Sequence, residues 1–121
     1  MGQNFKMPNT NFDKYSYTSN ITGGVDAWKY TKSATSVDLT MKANTYYGVK
    51  TYYYQARLEK KEGGKWVWKQ IQNGNFKYSV TKVFPLKQMT AGSYRMRVLS
   101  RTKSSGDWTY EHVTDPFVVE R

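Results

Sequence analysis

A chain of 121 residues with no cysteine and a formal charge of +10 has room for one domain around one core, and it excludes disulfides and thiolate metal sites as the source of its stability. No stretch approaches the run of about 20 apolar residues that a membrane-crossing helix needs. The charge is uneven: nine basic residues and no acidic one lie between Glu62 and Asp107, while ten basic and nine acidic residues share the rest of the chain. A field this one-sided favours anionic partners.

Apolar residues nowhere keep a helical period, whereas period two recurs along the chain. Residues 1–13, with Pro8 and several Asn, read as an irregular lead-in, and 14–121 as a single domain. Tyr15, Tyr17, Ser19 and Ile21 alternate with polar neighbours until Gly23-Gly24, which read as the end of that run. Val37, Leu39 and Met41 alternate with Asp38, Thr40 and Lys42, the pattern of a half-buried strand. In the long strand from Val49 to Lys60, Tyr52, Tyr54, Ala56 and Leu58 make one face and Tyr53, Gln55 and Arg57 the other.

Gly63-Gly64 is a hairpin signal, because adjacent glycines supply the positive φ of a tight turn. The following strand sets Trp66, Trp68 and Gln70 against Val67, Lys69 and Ile71. Asn73-Gly74-Asn75 reads as a second turn, and Pro85 as the end of the strand that follows. Further on, Tyr94, Met96 and Val98 point one way and Arg95, Arg97 and Arg101 the other. A turn at Ser104–Asp107 leads to Trp108, Tyr110 and His112, and a last strand holds Phe117 and Val119. About seven strands with turns every 8–12 residues make an all-β, antiparallel sandwich the expected fold class.

Gly92-Ser93-Tyr94-Arg95-Met96 resembles the start of the sixth strand of immunoglobulin-like β-sandwich domains. The resemblance implies that Tyr94 forms a tyrosine corner and that Met96 takes the place of the inter-sheet cysteine, facing Leu39 or Met41. It spans roughly Ser36 to Val119 and is one of fold, so it implies no function. The Thr, Ser, Asn, Tyr, Trp and Gly content resembles small exported bacterial β-proteins, which makes a secreted or cell-surface location the expectation and the cytoplasm the alternative.

Catalysis is poorly supplied. His112 is the sole histidine, and a surface or edge position is the ordinary outcome for it. No catalytic residue, metal ligand or cofactor is therefore assigned. Asp107, Glu111 and Asp115 cluster near the C-terminal turn but match no calcium-loop spacing. Two surfaces are candidates for binding. If the third and sixth strands pair, Tyr53, Gln55, Arg57, Arg95, Arg97 and Arg101 share an outer face suited to phosphate, sulfate or carboxylate. Trp66, Trp68 and Lys69 form a second: facing inward the indoles are core, facing outward they are a platform for sugar rings or bases.

The expected function is a non-catalytic binding domain for an anionic partner, whether a cell-envelope polymer, a glycan or an acidic protein surface. The alternative is a secreted effector, such as an enzyme inhibitor or cationic antibacterial protein, acting by protein contact. Nucleic acid is a less favoured partner, since no ribonucleoprotein-type or zinc motif supports it.

Overall fold

A computed structural model describes Phe5, residues 21–46 and residues 48–121. The rest of the 1–13 lead-in, and Tyr15 and Tyr17 after it, lie outside the described residues. Nine strands follow in order among those described: β1 (Ile21–Val25), β2 (Lys29–Tyr30), β3 (Ser36–Ala43), β4 (Tyr52–Glu62), β5 (Lys65–Phe76), β6 (Ser79–Pro85), β7 (Gly92–Arg101), β8 (Tyr110–Val113) and β9 (Phe117–Val119). The smaller sheet has the order β1-β3-β6; the larger runs β2-β9-β7-β4-β5, with β8 also paired to β7. The fold is an all-β, cysteine-free sandwich. Its pairs are antiparallel except β2 with β9.

Alternation in the sequence decides which side of each strand is dry. Val37, Leu39 and Met41 of β3 are buried, as are Tyr52, Tyr54, Ala56 and Leu58 of β4 and Tyr94, Met96 and Val98 of β7. They meet with Phe84, Leu86 and Phe117 in one cluster between the sheets. Each large aliphatic or aromatic side chain so enclosed contributes about 1.5–3 kcal/mol. Met96 lies in the same cluster as Leu39 and Met41, so thioether and aliphatic packing stands where related sandwiches place a disulfide. The Tyr94 hydroxyl donates to the Thr90 carbonyl at 2.7 Å, closing a tyrosine corner, and its ring stacks on Phe117.

Three local readings of the sequence are corrected. Gly23-Gly24 does not end a strand: both glycines lie within β1, paired with Met41 and Thr40. Gly23 has φ +148° and passes so close to β3 that a Cβ would sit 2.0 Å from the Thr40 carbonyl oxygen. Asn73-Gly74-Asn75 is likewise not a turn, because β5 runs on to Phe76. Gly74 faces Tyr54 across the ladder, and a Cβ there would lie 2.6 Å from the Tyr54 hydroxyl. The glycine leaves room for a buried ring.

The third correction concerns side-chain parity on β5. Leu58 pairs with Gln70 but Glu59 pairs with Trp68, so Lys69 is an extra residue in a β-bulge. The bulge reverses the alternation. Gln70 and Gln72 fall on the inner face, opposite Leu58 and Ala56, whereas Trp66 and Trp68 fall on the outer one, opposite Lys61 and Glu59.

Those two glutamines close one open side of the sandwich. Gln70 Nε2 donates to the Pro85 carbonyl and Gln72 Nε2 to the Val83 carbonyl, each at 2.7 Å, so the edge of β6 is capped by side chains of β5. On the opposite side Phe5 bridges to Thr114 and its amide donates to the Gly23 carbonyl at 2.8 Å.

The close approach at Gly23 yields a stability prediction. Gly23→Ala drives a methyl group into a backbone carbonyl and is expected to cost more than about 2 kcal/mol, read as a lowered urea midpoint. A loss below about 0.5 kcal/mol, the range of a neutral surface change, contradicts the β1–β3 geometry.

Candidate functional site

Pairing of β4 with β7 builds the outer face of the larger sheet. Opposite one another stand Tyr53 and Arg101, Gln55 and Leu99, Arg57 and Arg97, and Glu59 and Arg95. On the β5 side the same rows continue to Asn75, Asn73, Ile71 and Trp68; on the β8 side they reach Val113 beyond Arg97 and Glu111 beyond Leu99. All six residues of the first candidate surface therefore lie on one face, and Trp66 and Trp68 of the second join them. The bulge merges what the sequence presented as two surfaces.

The electrostatics are less one-sided than the sequence. Arg95 Nε donates to Glu59 Oε1 at 2.7 Å and Arg97 Nε to Glu111 Oε2 at 2.5 Å. Both carboxylates are about 95% buried, and a buried carboxylate needs such a partner. Arg57 donates from Nε to Gln55 Oε1 at 2.8 Å, and Gln55 in turn donates to Asn73 Oδ1 at 3.2 Å. Arg57 has no carboxylate partner among the described residues.

The sequence reading did not place Glu59 or Glu111 on this face as partners of its arginines. Glu59 was findable, because the alternation that sends Gln55 and Arg57 outward sends it outward too. Glu111 required the β7–β8 register, which no local pattern announces.

The aromatic part of the face has its own order. The Arg95 guanidinium lies over the Trp66 ring, 4.6 Å from its centroid, and Trp68 is 56% exposed. Lys69, the bulged residue, reaches Glu62 at 2.9 Å and holds that carboxyl below its ordinary value, chiefly through the hydrogen bond it donates.

Arg101 is withdrawn from the surface role. It donates to the carbonyls of Lys103, Gly106 and Ser104 and covers Trp108 at 4.1 Å. Its guanidinium acts as the internal cation of the β7–β8 loop, on which an open cleft of about 570 Å³ is lined by residues such as Trp108 and Tyr110.

A two-sheet sandwich with a tyrosine corner is the frame, and a family model, the YqgA MG2 macroglobulin domain, matches residues 10–115. The chain belongs to that family. No curated protein matches it. The match accords with the immunoglobulin-like resemblance of the Gly92–Met96 segment.

In this MG2 domain the sole histidine is not at the surface, contrary to the sequence reading. His112 is 1% exposed, faces inward opposite Val98 and stacks on Phe5. Neither ring nitrogen has a hydrogen-bond partner among the described residues. Alternation along β8 puts His112 inside and Glu111 outside, which the sequence alone leaves ambiguous for so short a strand. Glu111 is engaged by Arg97, so Asp107, Glu111 and Asp115 do not form a metal cluster among the described residues.

Burial holds the His112 imidazole neutral, lowering its pKa to about 4. Because the folded value lies below the unfolded value of about 6.5, the unfolded chain binds the extra proton between them and stability rises with pH there. Acidification from about pH 6.5 to 4 is expected to remove about 3 kcal/mol from this group. His112→Phe should flatten that stretch of a pH–stability curve measured by urea unfolding; an unchanged slope contradicts a buried neutral histidine.

Proposed function

We propose that this MG2 domain is a non-catalytic, exported binding module that recognises an anionic partner, such as a cell-envelope polymer, a glycan or an acidic protein surface, through the outer face of its larger sheet. The observation that carries the reading is the convergence, on that face, of Trp66 and Trp68 with Arg57, Arg95 and Arg97. Stacking on indoles combined with guanidinium donors is a combination suited to ring-bearing polyanions. The net charge of +10 supplies long-range attraction that salt screens. The strand-rich Thr, Asn, Tyr and Trp composition supports a place outside the cytoplasm.

A paired comparison tests the face rather than the charge. Lys61→Gln with Trp68→Ala alters two exposed residues on the proposed face; Lys42→Gln with Val83→Ala makes the same charge change on exposed residues of the smaller sheet. On a phosphorylated or sulfated polysaccharide matrix, retention should fall with salt. Loss of a stacking indole is worth about 1–3 kcal/mol, so the first variant should bind at least about fivefold more weakly and the second little changed. Equal behaviour of the two variants contradicts the face.

A further inference from the structure

Arg57 and Arg97 are direct cross-strand partners. In an antiparallel pair the Cα atoms of facing residues lie only about 4.5–5.5 Å apart, and like charges placed there repel. Both guanidinium groups are nevertheless anchored. Arg57 is held from its Nε side by Gln55, itself tied to Asn73, and Arg97 from its Nε side by the buried Glu111. Anchoring at Nε leaves the terminal nitrogens of each fork as donors, with Ile71 and Val113 flanking the row as half-buried aliphatic walls. Glu111 balances one of the two positive charges and Glu59 is engaged by Arg95, so among the described residues one charge of this row is unbalanced.

We infer that Arg57 and Arg97 form a clamp for one tetrahedral oxyanion, a phosphate or sulfate group carried on a polymer, which bridges the terminal nitrogens of the two guanidinium groups and relieves their repulsion. The inference rests on the binding reading above and narrows it to an ester chemistry and a place. Guanidinium forks match oxyanion geometry better than ammonium groups do. The next row along the strands, about 6.8 Å away, holds Glu59 between Trp68 and Arg95, with Trp66 under the Arg95 guanidinium. A polymer whose oxyanion sits in the clamp therefore brings its adjoining ring over the exposed Trp68 indole.

The clamp makes a prediction of two opposite signs for Arg57, the member whose removal leaves no buried carboxylate unpaired. In chloride buffer Arg57→Gln should melt at or above the wild-type temperature, because it removes a like-charged partner. Inorganic phosphate or sulfate, at ionic strength matched to chloride, should raise the melting temperature of the wild type. That increment should be lost in Arg57→Gln, reduced in Arg57→Lys, and kept in Lys42→Gln, while acetate gives a smaller one.

An equal increment in wild type and Arg57→Gln, or a marked fall in the melting temperature of Arg57→Gln in chloride, overturns the clamp. Relative retention of wild type and Lys61→Gln/Trp68→Ala on the polysaccharide matrix separates the two ideas. Retention that depends on the face without an Arg57-dependent increment discards the clamp alone; retention that ignores the face discards the binding reading as well.

Discussion

The proposed binding face depends on the register between β4 and β7. That ladder places Tyr54, Ala56 and Leu58 opposite Ser100, Val98 and Met96 on the dry side. The same register places Arg57 against Arg97 and Glu59 against Arg95 on the wet side. A slip of one residue would carry the apolar set to solvent and the arginines into the core. The core thus enforces the arrangement of the outer face, and the tyrosine corner at Tyr94 holds the start of β7 where the pairing begins.

Given that register, the β5 bulge decides the character of the face. Without the extra Lys69, Trp66 and Trp68 would share a side with Gln70 and Gln72, which face inward. With it, the indoles move out beside Arg95 and Glu59, and the glutamines remain inside to cap the carbonyls of β6. One inserted residue therefore serves both the closure of the sandwich and the composition of its surface. The basic excess of the 65–103 segment is tempered by carboxylates from outside it: Glu59 on β4 and Glu111 on β8.

Much of the fold was legible in the sequence because its strands are half-buried and alternate cleanly. The inner faces of β3, β4 and β7, the Gly63-Gly64 hairpin and the Tyr94 corner follow from period two and turn chemistry. The misreadings share a cause. Gly23 and Gly74 look like turn residues, yet each is glycine because another strand or ring comes too close for a Cβ, a long-range reason that local pattern does not carry. Sequence suggests a surface or edge place for His112 because β8 is only four residues long, too short for alternation to assign a side. The candidate arginines were placed on their face by the strand pattern, but their partners depended on pairings between distant segments.

The central claim is that a single face of the larger sheet meets the anionic partner. Its most direct test is a titration of the isotopically labelled protein with polyphosphate or a sulfated polysaccharide, following indole and arginine Nε–H resonances together with backbone amides. The account predicts that Trp66, Trp68, Arg57 and Arg97 shift along one saturable curve while β1, β3 and β6 stay still. Shifts spread evenly over both sheets, or centred on the smaller one, would contradict it.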